Sequence, residues 1–177
     1  MTTYYDWFES SLCTLLLTSD GRSLTGLYLD GQKYFPTQVQ TWTAAPQIEP
    51  LPQVREQLGE YFAGQRQTFD LPLNPSGTNF QQRVWQCLQQ IPFGTTCSYG
   101  TLAQMIGNPS ASRAVGAANG RNPISIIVPC HRVVAANRQL TGYAGGLDRK
   151  RWLLQHEQSH ILIGRTASAD IESDRRC

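Results

Sequence analysis

The chain has 177 residues, 40% hydrophobic and 16% charged, with a formal net charge of +2, a soluble globular composition large enough for one domain or for two small ones sharing a core. No apolar run approaches the roughly 18 residues that span a membrane, and no basic region precedes an apolar stretch at the N-terminus, so neither a membrane anchor nor a secretory signal is expected. Cys13, Cys87, Cys97, Cys130 and Cys177 form no C-x-x-C pair, which argues against a disulfide framework or a zinc site and for a reducing, cytoplasmic setting.

Residues 11–17 and 22–29 are apolar-rich and flank Thr18-Ser19-Asp20-Gly21. This pattern predicts an antiparallel hairpin, because Asp-Gly supplies the positive φ angles of a tight turn. Residues 51–63 place Leu51, Val54, Leu58, Tyr61 and Phe62 on one helical face, with Gly64 as the C-terminal stop. Residues 64–79 are rich in Gly, Pro, Asn and Ser and read as a linker. Beyond it Phe80, Val84, Leu88 and Ile91 recur at helical spacing up to Pro92. Ser98 is placed to cap a short helix burying Tyr99, Leu102, Ala103 and Ile106, and Ser110 to cap a second one over 111–119. Two short helices joined by Gly107-Asn108-Pro109 suggest a helix-turn-helix. Ile124–Val128 reads as a buried extended run leading into Pro129, and a last helix starts near Asp148. Residues 165–177 lack periodicity and are expected to form a flexible tail. The organisation predicted is therefore an N-terminal α/β domain (1–75), a mainly helical C-terminal domain (76–164) and the tail.

Charge divides along the same line. Residues 1–79 hold four basic and eight acidic side chains, whereas residues 80–160 hold eight basic and two acidic ones. A basic segment joined to an acidic one suits a polyanion-binding surface, and Arg113, Arg121, Arg132 and Arg138 are candidate phosphate contacts. Charge alone also fits an ordinary solvated face.

The chemically informative stretch is Pro129-Cys130-His131-Arg132-Val133. Cysteine reacts as thiolate, so a useful nucleophile needs a base or a positive neighbour. Adjacent side chains on a regular strand point to opposite faces, so either Pro129 breaks the strand or a water carries the proton between Cys130 and His131. Glu157 and Asp148 are the acids available in this half to orient the imidazole. An isolated Cys-His dipeptide more often marks an inert buried cysteine.

The company this dipeptide keeps changes that balance. Arg121-Asn122-Pro123 before it and Gly142-Tyr143-Ala144-Gly145-Gly146 after it, with Ser98-Tyr99, Arg113-Ala114-Val115-Gly116 and Trp152-Leu153-Leu154-Gln155-His156-Glu157, resemble the O6-alkylguanine-DNA alkyltransferase family. The resemblance covers about 76–160. Residues 1–75 share only length and a hairpin-then-helix pattern with the family's N-terminal domain. The resemblance implies a ribonuclease-H-like N-terminal domain, a winged helix-turn-helix in the C-terminal one, and irreversible transfer of an alkyl group from O6 of guanine, and O4 of thymine, to the protein. Cys130 is then the acceptor, His131 its base through a water, and Glu157 the group behind the histidine. Asn122 would hold the turn around the thiol, and Tyr99 would protonate the departing guanine. Arg113 would fill the space left by a flipped nucleotide. Ala111, Ser112, Ala114, Gly116 and Ala117 would line a helix slim enough for the minor groove of double-stranded DNA. The carbonyls of Cys130 and Val133 would accept from the guanine amino group. Tyr143 and Gly145 would line the pocket, with Ser125 where some relatives carry proline. No metal and no cofactor is implied, since Cys13 stands alone and every histidine lies at 131 or later. The expected state is a monomer, with cooperativity on DNA left open.

The chemistry agrees with this reading. A soft thiolate attacks an alkyl carbon in line, an acid helps the guanine leave, and a base buried in the stack must first be flipped out. A cysteine hydrolase, a non-catalytic lesion-binding protein and a helix-turn-helix regulator are the competing readings. The first needs an oxyanion hole, the second would lack the cysteine, and the third needs more base-reading side chains than Ser112 and Arg113.

Overall fold

The computed structural model describes the backbone of residues 2–173 and the side chains of residues 2–161. Its N-terminal part is α/β. Strands β1 (Tyr4–Glu9), β2 (Thr14–Ser19), β3 (Leu24–Leu29) and β4 (Thr43–Ala44) form a sheet of order β3-β2-β1-β4, antiparallel except for the β1–β4 pair. The β2–β3 hairpin is the predicted one, and Gly21 in its turn has φ +92°, which a side chain would resist. β1 was not legible in the sequence. Its residues Tyr4-Tyr5-Asp6-Trp7-Phe8-Glu9 put aromatics on both faces and so show no clean period of two.

β2 is buried on both faces. Leu15 and Leu17 enter the main core. Leu16 stands opposite Trp7 and Tyr28 in the register, and Phe35 packs on those two rings at centroid distances of 6.3 and 6.2 Å. Helix α1 (Leu51–Phe62) lies on β1 and β2 with Leu51, Val54, Leu58 and Tyr61 buried. Gly64 at φ +74° ends it as predicted, its N–H donating to the Tyr61 carbonyl at 3.0 Å.

The C-terminal part is helical. α2 (Asn79–Leu88) opens with a capping box: Thr78 Oγ1 accepts from the Gln81 N–H, and Gln81 Oε1 accepts from the Thr78 N–H. A short parallel pair, β5 (Cys97–Ser98) and β6 (Val133–Val134), leads into α3 (Tyr99–Met105). Ser98 caps α3 as predicted, accepting from the Thr101 N–H at 3.0 Å. Ser110 does not cap the next helix. Pro109 fixes its own φ and opens a 3-10 turn over Pro109–Ala111, so the chain is already turning when α4 (Ser112–Gly120) begins, and the Ser110 hydroxyl bonds to Asn108 Oδ1 instead.

The extended run expected over 124–128 is a second correction. Only Ile124 makes a strand-like bridge, to Leu27, and the chain then turns with Ile126 at φ +71°. The Asn122 side chain accounts for this. Its Oδ1 accepts from the Ile124 N–H at 3.0 Å and its Nδ2 donates to the Val128 carbonyl at 2.8 Å, drawing the two ends of the segment together. Finally α5 runs Leu147–Ser173, over part of the stretch expected to be an aperiodic tail, and residues 174–177 lie outside the described residues. Among the described residues no helix is long and apolar enough to cross a membrane.

The two parts share one hydrophobic core, in which Leu17, Leu27 and Tyr61 meet Trp85, Val115 and Leu153. The edge of β3 is covered by chain that follows α1, first the end of the N-terminal part and then the segment after α4. The Leu24 N–H donates to the Pro72 carbonyl at 2.8 Å, the Leu27 N–H to the Pro123 carbonyl at 2.8 Å, and the Ser125 N–H to the Leu27 carbonyl at 3.0 Å. An edge strand that would template aggregation is thereby used to hold the segment leading to Cys130.

Candidate active site

Cys130, His131 and Arg132 form one turn of 3-10 helix, preceded by Pro129 at φ −82°, ψ 63°. Of the two geometries open in the sequence, the proline therefore breaks the strand, and Cys130 and His131 do not alternate across a sheet. Cys130 is 4% exposed. Its Sγ accepts from Asn122 Nδ2 at 3.2 Å, so the side chain that shapes the loop also touches the sulfur. Burial pushes the thiol up, and the Asn122 bond and the nearby Lys150 charge offset only part of that. At neutral pH the resting group is a thiol that needs a base.

Behind the turn stands Glu157 on α5, fully buried, and its carboxylate gathers donors from four places. His131 Nε2 lies 2.7 Å from Oε1. Arg132 spans the carboxylate, Nε to Oε2 and Nη2 to Oε1, both at 2.9 Å. Tyr61 Oη on α1 donates to Oε1 at 3.0 Å, and the Gly94 N–H donates to Oε2 at 2.9 Å. Burial alone would push this carboxyl up. The His131 ring and the Arg132 guanidinium outweigh it and hold the group well below the ordinary carboxylate range. Burial also holds His131 below its usual value, so the imidazole is neutral at pH 7 and free to take a proton.

This cluster corrects the expectation for Arg132. It is buried, forked onto Glu157 and bonded through Nη1 to the Ile91 carbonyl at 2.6 Å, so it serves the carboxylate and not a phosphate. Tyr61 is a member that the sequence did not disclose, since its spacing on α1 marks it only as core.

Lys150 was missed as well. In a run of three basic residues it looks like part of a solvated face, yet it is fully buried, and its Nζ donates to the Val133 and Thr141 carbonyls, both at 2.6 Å. Burial lowers it to about 8, against the opposing pull of Cys130. A signal was available. Lys150, Leu153 and Glu157 stand at i, i+3 and i+7, one face of a helix whose middle member is apolar.

The other expected site residues lie mainly on α3, α4 and the loop before α5. Tyr99 is half-buried, and its Oη donates to the Thr141 carbonyl at 3.1 Å. Burial pushes its phenol up. Tyr143 lies over Gly145, where a Cβ would come within 2.7 Å of the ring, so only glycine fits there. On α4 and the turn before it, Gly116 faces the Tyr99 ring, Ala111 and Ser112 are half-buried, and Arg113, Ala114 and Ala117 are exposed. Ser125 is buried beside β3. The Cys130 carbonyl already accepts two bonds, from Asn119 Nδ2 at 3.4 Å and from the Val133 N–H, and the Val133 carbonyl accepts one, from Lys150 at 2.6 Å. A carbonyl has two lone pairs, so Val133 keeps one for a ligand, and Cys130 gains one where Asn119 yields.

Three buried polar atoms have no hydrogen-bond partner among the described residues: His131 Nδ1, Tyr143 Oη and Asn119 Oδ1. Each belongs to a residue at Cys130. His131 follows it, Asn119 bonds its carbonyl, and the Tyr143 phenol is close enough to feel charge on the sulfur. Unpaired buried side-chain polar atoms are rare, and these three gather around one thiol.

The comparisons with known proteins point the same way. The family described as "6-O-methylguanine DNA methyltransferase, DNA binding domain" matches residues 79–159, and "6-O-methylguanine DNA methyltransferase, ribonuclease-like domain" matches residues 3–75. The methylated-DNA–protein-cysteine methyltransferase of Mycolicibacterium paratuberculosis is 52% identical over 147 residues, 82% of this chain and 87% of that protein. The crystal structure of the Mycobacterium tuberculosis O6-methylguanine methyltransferase has a TM-score of 0.82 at 48% identity, covering 90% of this chain and 94% of that one. The same enzyme in complex with DNA also gives 0.82 at 48% identity, over 89% and 94%. With two adjoining domain models matched and about half its residues shared with relatives of similar length, the chain belongs to the 6-O-methylguanine DNA methyltransferase family.

Proposed function

We propose that this chain repairs DNA by direct reversal, moving an alkyl group from O6 of guanine, or O4 of thymine, to Cys130. The observation that carries the reading is the Cys130 thiol, bonded to Asn122 and followed by a histidine locked onto a buried carboxylate. In this mechanism His131 takes the thiol proton through a water at Nδ1, and Glu157 stabilises the imidazolium that forms. The thiolate attacks the alkyl carbon, a C–S bond forms as the C–O bond breaks, and Tyr99 donates a proton to the departing base. Tyr99 must first give up its bond to Thr141. Asn122 steadies the sulfur throughout. The thioether has no leaving group that water can displace, so each molecule acts once.

DNA enters in this reading along α3 and α4, acting as a winged helix-turn-helix beside the ribonuclease-like N-terminal domain. Ala111, Ser112, Ala114, Gly116 and Ala117 leave α4 slim enough for the minor groove. Arg113 replaces the extruded nucleotide in the stack. Val133, Tyr143, Gly145 and Ser125 surround the flipped base, and the protein works as a monomer. The test is to mix the protein with a duplex carrying O6-methylguanine and weigh it. One added methyl per molecule, mapped to Cys130, is expected. An unchanged mass, a methyl on another cysteine, or many turnovers per molecule overturns the proposal.

A further inference from the structure

The loop after β3 belongs to the N-terminal domain but ends beside the proposed base pocket. Its Phe35 is packed on Trp7 and Tyr28, and the Lys33 N–H donates to the Ala144 carbonyl at 2.9 Å, so both ends of the turn are tied down. Between these anchors Tyr34 is 48% exposed and sits at φ +63°. That backbone region suits glycine or asparagine, and an aromatic there is uncommon. Its ring is flanked by two cations, Lys33 Nζ at 4.9 Å and Arg121 Cζ at 4.8 Å from the centroid. Lys33 comes from the N-terminal domain and Arg121 from the end of α4. Together with Gly116, Ala117 and Tyr143, Lys33 and Tyr34 line an open cleft of about 260 Å³. One wall of that cleft is the small-residue face of α4 and another is the loop that carries Tyr143.

We infer that Lys33, Tyr34 and Arg121 form a phosphate grip for the DNA strand that carries the extruded base, so that the N-terminal domain binds substrate and does not only support the fold. This rests on the proposed function above. The cations carry the attraction, and the Tyr34 ring fixes their positions by cation–π contact, which lowers the cost of ordering two long side chains. No acidic side chain pairs with Lys33 or Arg121 among the described residues, which leaves both charges available to phosphate. The exposed aromatic at a strained backbone angle is explained if the ring's place at the cleft matters more than backbone comfort.

The test compares wild type with Lys33→Gln and Tyr34→Gly, the glycine chosen because it accepts the positive φ without strain. Affinity for a duplex bearing O6-methylguanine is measured by fluorescence anisotropy at 50 and 200 mM salt, beside the single-turnover rate on free O6-benzylguanine. Losing one phosphate contact should flatten the log–log salt slope by about 0.9, which shrinks the affinity ratio between those salts by about 3.5-fold. Both variants should show that flattening, and their loss on duplex should exceed any loss on the free base. Wild-type slopes in both variants overturn the inference, as does an equal loss on duplex and free base, which would mean the loop only shapes the pocket. If wild type itself shows no salt-dependent binding and no transfer from duplex, the functional reading fails and not merely this extension of it.

Discussion

The Glu157 cluster and the outer face of α4 are built on opposite plans. Around Glu157 every charge is buried and answered: the carboxylate takes donors from His131, Arg132, Tyr61 and Gly94, drawn from both domains. On α4, Arg113 is exposed between small residues. The difference follows from what each region must do. The proposed proton relay needs its geometry held, with a water admitted only at His131 Nδ1, so it is fixed by packing. A surface that receives a polyanion must leave its charges unpaired and its contour low, so it carries little structure of its own.

The comparison can be broken most decisively at its centre. Cys130→Ala should abolish transfer while leaving duplex binding in place, because the proposal assigns chemistry to the thiol and binding to the α4 face. Mass spectrometry and anisotropy on one preparation check both. Loss of binding along with transfer would show that the two regions are not separable.

Glu157→Gln comes next. It removes the charge that answers Arg132 and that, in the proposed mechanism, stabilises the imidazolium, so transfer should slow by about 100-fold on duplex and on free O6-benzylguanine alike. Leaving Arg132 buried and unpaired should also cost about 3–5 kcal/mol of stability, read from denaturant unfolding. The cluster sets the acid response too. His131 is held below its unfolded value, so its contribution fades as pH falls through about 6.5, and Glu157, also held low, adds a second loss as pH falls below about 4.3. Stability should thus decline steadily on acidification, and the variant should lack the lower step. An identical acid profile in both proteins would remove Glu157 from the account.

Arg113→Ala probes the other side. It should slow repair of duplex DNA by about 10- to 1,000-fold, since unstacking a base costs a few kcal/mol, and should slow the free base much less. Equal losses would assign this arginine to the fold or to the thiolate.

The smallest expected effect contrasts two arginines directly. Arg138→Gln, at an exposed site, should flatten the salt slope of binding by about 0.9 and leave the fold as stable as before. Arg132→Lys keeps the charge but loses the fork onto Glu157, so it should lower stability and transfer without changing that slope. Were Arg132→Lys to alter the slope instead, the burial of this side chain would not persist in the complex.

Local rules made much of this protein readable from its residues. The β2–β3 hairpin, α1, and the Ser98 cap of α3 follow from turn chemistry and periodicity, which act within a few residues. The family resemblance rested on short motifs, and those pointed to Cys130, His131, Asn122 and Glu157, which the fold brings into one cluster. What the tertiary structure alone decided involves partners far apart in the chain. β1 becomes a strand only because β2 and β4 pair with it. Ile124–Val128 bends because a single asparagine bonds both its ends. Arg132 turns inward because Glu157, 25 residues later, is buried beside it. Lys150 and Tyr61 join the site for the same reason: Lys150 is buried against the carbonyls of Val133 and Thr141, and Tyr61 reaches across the domain boundary to Glu157. A sequence shows which side chains can carry charge or a proton. Only the packed fold determines which of them lose their water, and that loss is what forks Arg132 onto Glu157 and lowers Lys150.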